Sequence, residues 1–186
     1  MKLNVVIPCY NEEEVLHESY KRFTQVLSAA TFDYSILFVN DGSRDNTLNI
    51  LKELAAHDDR VQVLSFSRNF GHQNAVSAGL HHADGDAVVI IDADLQDPPE
   101  VIPQMVEQWQ QNKCNIVYAV RESRKGESFF KLVTAKMFYR TLNMLSEYRF
   151  PVDTGDFRLI DRQVLNAFLQ FPEKHKYLRG LFSWMG

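Results

Sequence analysis

Apolar residues follow two alternating rhythms along this chain. Short continuous runs, Leu3-Asn4-Val5-Val6-Ile7 and Ala87-Val88-Val89-Ile90-Ile91, have almost no polar side, the pattern of strands covered on both faces in a parallel sheet. The runs over 34–39, 61–66 and 115–120 read the same way, and 157–160 forms a shorter sixth strand. Between the strands the spacing changes to helical. Leu16, Tyr20, Phe23, Leu27 and Ala30 make one apolar face, with Asn11 as N-cap, Glu14 at the capping-box position and Glu12 and Glu13 at the positive helix start. Further helices are predicted over 46–56, burying Leu48, Leu51 and Ala55, and over 71–83. Another follows Pro99, with Ile102, Met105, Val106 and Trp109 facing inward. A long amphipathic helix is predicted over 129–146, and Asp161 caps another carrying Val164, Leu165, Phe168 and Leu169. Strands alternating with helices predict an α/β, Rossmann-like fold: a mostly parallel sheet with helices on both faces, in a single domain over 1–186.

Composition changes this picture little, and charge distribution more. The 186 residues are 45% hydrophobic and 24% charged, ordinary for a globular chain that buries a sizeable core. A net charge of -4 lacks the basic footprint of general nucleic-acid binding, so no nucleic-acid partner is expected. Between 121 and 140 the balance is a local +4, which leaves -8 on the rest. Cys9 and Cys114 have no C-x-x-C or metal-type spacing and read as free thiols in a reducing cytosol. No signal peptide is visible, and no apolar run approaches the ~18 residues that span a bilayer, so the chain as given reads as soluble.

In open α/β sheets ligands bind beyond the carboxyl ends of the strands. Those ends carry Tyr10-Asn11, Asp41-Gly42-Ser43, Ser67-Arg68-Asn69, Asp92-Ala93-Asp94 and Arg121. The run Asp92-Ala93-Asp94-Leu95-Gln96-Asp97-Pro98-Pro99 is the densest. Three carboxylates after a buried strand demand neutralisation. A hard divalent cation, Mg²⁺ or Mn²⁺, needs only one or two of them when a substrate phosphate completes its shell. The alternative is a pair of loop aspartates capping the next helix. Turn residues alone account for Gly42 and Ser43, but not for Arg68, paired carboxylates and Arg121 sharing one edge. No G-x-G-x-x-G follows the first strand and no G-x-x-x-x-G-K-[ST] occurs, which argues against a dinucleotide cofactor and P-loop chemistry. Such a site holds a nucleotide diphosphate mainly through the metal, with Asp41 available to a base or ribose, and implies metal-assisted departure of the diphosphate.

Val6-Ile7-Pro8-Cys9-Tyr10-Asn11-Glu12, Asn40-Asp41-Gly42-Ser43 with Asp45 and Thr47, Ser67-Arg68-Asn69-Phe70-Gly71-His72-Gln73, Asp92 to Glu100, and Thr154-Gly155-Asp156-Phe157-Arg158-Leu159 stand in one order. Together they resemble the GT-A family 2 glycosyltransferases, and more narrowly the polyisoprenyl-phosphate group that holds bactoprenol glucosyltransferases and dolichol-phosphate mannose synthase. The resemblance implies an inverting transfer of a sugar from a nucleotide-diphosphate sugar, UDP-sugars favoured, to undecaprenyl or dolichyl phosphate. On that pattern Asp92, Asp94 and Gln96 hold Mg²⁺ or Mn²⁺, and Asp156 and Asp94 are the catalytic carboxylates. Pro8, Tyr10, Asn11, Asp41, Ser67, Arg68, Asp92, Arg121, Lys131 and Arg179 line the substrates. An acceptor phosphate needs little proton removal, so Asp156 is expected to orient the acceptor or share the metal rather than serve as a true base.

Arg121, Arg124, Lys125 and Lys131 suit an acceptor phosphate. Phe129, Phe130, Phe138 and Tyr139, interleaved with Lys131, Lys136 and Arg140, fit either a helix in a membrane interface or a solvated basic face over an aromatic core stripe. Members of the group usually continue into an amphipathic segment and often two transmembrane helices. The chain therefore reads as a catalytic domain truncated before a C-terminal membrane segment, working at the cytoplasmic face of a membrane. A homo-oligomer is left open. His81 and His82 are adjacent on a helix and cannot face one ion together; His72 has no role assigned by pattern. The rival readings are a GT-A transferase with a soluble or saccharide acceptor, and a non-catalytic nucleotide-sugar-binding module.

Overall fold

A computed structural model of the chain describes residues 1–120, 154–173 and 176–185. Its strands are β1 (Lys2–Cys9), β2 (Asp33–Asn40), β3 (Val61–Ser65), β4 (Ala87–Ile90), β5 (Ile116–Val120) and β6 (Thr154–Asp161). The helices are α1 (Leu16–Ser28), α2 (Thr47–His57), α3 (His72–His82), α4 (Ile102–Asn112), α5 (Arg162–Leu169) and α6 (Leu178–Met185), with a 3₁₀ turn at Pro99–Val101 leading into α4. The helix predicted over 129–146 and the basic positions Arg121, Arg124, Lys125 and Lys131 lie outside the described residues.

The six strands form one sheet in the order β3-β2-β1-β4-β6-β5. β1 pairs in parallel with both β2 and β4, and β2 in parallel with β3. β6 runs antiparallel to both β4 and β5, so it alone is reversed and the sheet is mostly parallel, as the pattern predicts. Alternation along the strands assigns residues to two cores. Val5, Ile7, Ile36, Phe38, Val89 and Leu159 pack under α1, α2 and α4, whereas Val6, Leu37, Val39, Val88, Ile90 and Ile160 pack under α3, α5 and α6. α3 lies close on the sheet because Gly79 has no side chain: a Cβ there would collide with Val6 Cγ1.

Two boundaries differ from expectation. Asn11 does not cap α1; the helix begins at Leu16, after Val15, without a side-chain cap. The reason is that the loop over 11–13 is tied sideways to the loop after β2. Asn11 has φ 57° and accepts from the Arg44 N–H through Oδ1 at 2.9 Å. The N–H groups of Asn11, Glu12 and Glu13 donate to Ser43 Oγ, Thr47 Oγ1 and Asp45 Oδ2 at 3.0, 2.8 and 3.2 Å. The second difference is that β6 starts at Thr154, three residues before the apolar run that signals it. Its first residues are polar because this reversed strand begins at the edge where the parallel strands end. Asp161 caps α5 as predicted, accepting from the Val164 N–H at 2.8 Å.

Candidate active site

The carboxyl ends of β1, β2 and β4 and the start of α3 enclose a cleft of about 380 Å³, lined among others by Pro8, Tyr10, Glu12, Asp41, His72, Asp92 and Asp94. Each wall has a local cause. Pro8 and Cys9 are still in β1, and the thiol of Cys9 is buried, which with the nearby Glu12 and Asp92 pushes its ionisation well up. Asp41 is buried directly after β2 and accepts from the N–H groups of Phe70 and Gly71 at 2.7 and 2.9 Å, fastening the loop after β3 to the cleft. Gly42 makes that approach possible: its φ is +64°, and a Cβ would run into the Arg68 backbone.

β4 delivers Asp92 and Asp94 into the cleft. The turn that holds Asp94 carries Leu95 at φ 58°, which lets Asp94 Oδ1 accept from the Gln96 N–H at 3.0 Å. Asp92 Oδ1 meets His72 Nε2 at 2.8 Å, and that contact foremost, against the cost of burial, raises the imidazole pKa. Glu12 lies beside the pair, its carboxyl pushed up by burial and then by the charges of Asp94, Asp92 and Asp45. The cleft thus concentrates negative charge. Among the described residues no three His, Cys, Asp or Glu side chains form a closed metal cage. Two carboxylates on an open cleft are the donor set of a hard Mg²⁺ or Mn²⁺ ion whose shell is completed by phosphate and water, so the residues fit such an ion.

Asp156 stands at the same edge because β6 is reversed. Arg179 of α6 grips its carboxylate with both ends of the guanidinium fork, Nε to Oδ1 at 2.9 Å and Nη2 to Oδ2 at 3.0 Å. Arg158 Nη2 adds a third contact to Oδ1 at 3.1 Å. Burial opposes ionisation of Asp156, but Arg179, Arg158 and His72 outweigh it and hold the carboxyl below its ordinary range. His72 therefore stands between the two acidic groups: it touches Asp92 and feels the charge of Asp156.

The structure brings Pro8, Tyr10, Asp41, Asp92 and Asp94 around one cleft, with Asp156 and Arg179 paired beside His72. Asn11 lines an adjoining acidic depression with Glu13 and Arg44. Ser67 and Arg68 are exposed, and the Arg68 guanidinium lies 4.1 Å over the Phe70 ring rather than in the cleft. Gln96 faces a neighbouring cavity beside Pro98 and Met105. Arg121 and Lys131 lie outside the described residues. Pattern reading gave no site role to His72 and Arg158, and read Glu12 only as part of the helix start. Arg158 had a visible signal, a charge in the middle of the apolar run Phe157-Arg158-Leu159-Ile160; His72 stood within the run Ser67 to Gln73, which gives it no role.

The fold, a mostly parallel sheet with one reversed strand, is of the GT-A type, and comparison with known proteins names the family. Residues 4–169 match glycosyl transferase family 2, and the chain belongs to that family. It is 50% identical over its whole length to the uncharacterized glycosyltransferase YkcC of Bacillus subtilis (strain 168), covering 57% of that protein. It is 42% identical, again over its whole length, to the bactoprenol glucosyl transferase of Shigella phage SfV, covering 60% of it. The chain thus spans little more than half the length of these relatives. Among solved structures it resembles the glucosyl-3-phosphoglycerate synthase of Mycobacterium tuberculosis in complex with Mn²⁺, UDP and phosphoglyceric acid. The TM-score is 0.61 at 22% identity, over 88% of this chain and 56% of that one.

Proposed function

We propose that this chain is the catalytic part of an inverting glycosyltransferase that moves a sugar from a nucleotide-diphosphate sugar, a UDP-sugar by preference, to a polyisoprenyl phosphate at a membrane surface. The observation that carries the proposal is the pairing on one sheet edge of the Asp92/Asp94 cleft with an arginine-held Asp156. Asp92 and Asp94 would hold a Mg²⁺ or Mn²⁺ ion, which when bound would supply Lewis-acid stabilisation of a leaving diphosphate. Asp41, Tyr10 and Pro8 border the space for the nucleoside. The lipid acceptor is supported by the bactoprenol glucosyl transferase relative, and the donor and metal by the neighbour solved with Mn²⁺ and UDP.

Asp156 fits an orienting role better than that of a base. Two guanidinium groups hold it ionised with weak basicity, and an acceptor phosphate, whose second ionisation falls near pH 6, already has an anionic oxygen at neutral pH. The carboxylate and its arginines instead set where the acceptor oxygen stands relative to the sugar.

Labelled UDP- and GDP-sugars offered with undecaprenyl phosphate in detergent and Mn²⁺ test this reading. Label from one donor should partition into the organic phase as a lipid-linked sugar. Label that moves only to a water-soluble saccharide would replace the lipid acceptor with a soluble one, and nucleotide binding without any transfer would favour a binding module.

A further inference from the structure

Arg158 is the one charged side chain on the interior of β6, and core packing does not explain it. The residue is 2% exposed and lies on the sheet face covered by α3 and α6. Its guanidinium carbon sits 5.5 Å from the centre of the Tyr118 ring and 5.2 Å from that of Phe182. The donors point back along its own strand: Nε to the Asp156 carbonyl at 3.2 Å, and Nη2 to the Gly155 carbonyl at 3.0 Å and to Asp156 Oδ1 at 3.1 Å. Nη1 has no hydrogen-bond partner among the described residues. A buried guanidinium with an unmet donor is a net cost to folding, and an apolar side chain of the same length would fill this slot between two rings at lower cost. What the position gains from arginine is a fixed hold on Asp156.

The two arginines on Asp156 differ in access. Arg179 comes from α6 with its side chain 41% exposed, against 2% for Arg158. A planar guanidinium at that exposure is the one an anionic substrate oxygen can reach, and phosphate competes well with carboxylate for a guanidinium fork. Once Arg179 turns to such a group, only the buried arginine still fixes the carboxylate.

We propose that Arg158 is a positioning residue for the transfer reaction: from inside the sheet it holds the Asp156 carboxylate in place while Arg179 exchanges Asp156 for a substrate phosphate. This rests on the glycosyltransferase reading above. The backbone carbonyls of Gly155 and Asp156 tether the guanidinium to the strand that carries the carboxylate, so side chain and clamp move as one unit.

The test combines kinetics and structure in the full chain. In Arg158→Met, whose stem keeps the contacts with Tyr118 and Phe182, kcat should fall about 100-fold, the loss that misplacement of a reacting group produces, with the donor KM unchanged. Arg158→Lys, which keeps charge and a donor but not the fork, should recover part of that loss. In an Asp156→Asn background Arg158→Met should cost little more, because its effect passes through the carboxylate. A structure of Arg179→Ala should show Asp156 still on Arg158 in its present orientation. An unchanged kcat in Arg158→Met, full additivity with Asp156→Asn, or an Asp156 that turns away in Arg179→Ala would each overturn the proposal. If Arg158→Met does not fold, the lysine variant and the Arg179→Ala structure decide. If no donor is transferred by the unaltered protein, the functional reading fails, while the Arg179→Ala structure still judges the clamp.

Discussion

At Asp92 and Asp94 two carboxylates share a cleft with a third, Glu12, whose ionisation they oppose. On the proposed function, removing Asp94 should remove the cation rather than the fold. Asp94→Ala should bind UDP equally with and without Mn²⁺ in calorimetry, whereas the unaltered chain should bind far more tightly with the ion. A thermal melt should be nearly the same for both. Asp58 makes a different prediction. Hydrogen bonds from Arg60 foremost, set against burial, and then from Tyr20 lower its pKa to about 2. A carboxylate with a depressed folded-state value stabilises the fold above its unfolded value, near 4, and loses that contribution as pH falls toward 2. Asp58→Asn should therefore narrow the difference in urea midpoint between pH 6 and pH 3. Asp92, Asp94 and Asp97 stand out because three carboxylates in six residues after a buried strand demand neutralisation. His72 was not legible, since its partner Asp92 lies twenty residues away in sequence and only the packing of α3 beside β4 joins them.

Among the elements, legibility followed burial. β1, β2 and β4 announce themselves as nearly unbroken apolar runs because helices cover both of their faces, and Phe38 is fully buried in β2. Phe38→Ala should destabilise the domain by about 3–5 kcal/mol in urea unfolding. The start of α1 falls later than its sequence suggests because Asn11 and Glu14 form a capping pattern, while the actual partners of the loop, Ser43, Asp45 and Thr47, are more than thirty residues ahead. β6 was read three residues short because its first turn of chain belongs to the site and not to the core. Where a cap is purely local the sequence pattern sufficed. Asp161→Ala should cost about 1 kcal/mol through the lost bond to the Val164 N–H, measured by the same unfolding transition.

For the molecule as a whole, the decisive feature is the reversal of one strand. The parallel strands β1, β2 and β4 end where β6 begins, so residues from 8 to 94 and the Asp156 region meet at one edge. Alternation of strands and helices predicts the mostly parallel sheet but not the direction of its last strand, which is set by pairing with β4 and β5. Among the described residues no helix is long and apolar enough to cross a membrane. On the proposed function, this edge carries out metal-assisted sugar transfer with Asp156 orienting the acceptor. The deciding measurement is the rate of lipid-linked sugar formation in the full chain, in Asp94→Ala and in Asp156→Asn, each with Mn²⁺ and with chelator. Transfer should be abolished by chelation and by Asp94→Ala, and kcat should fall about 10²-fold in Asp156→Asn with donor binding intact, the loss of an orienting group. Transfer that persists under chelation, or that survives undiminished in Asp156→Asn, would contradict the proposed function.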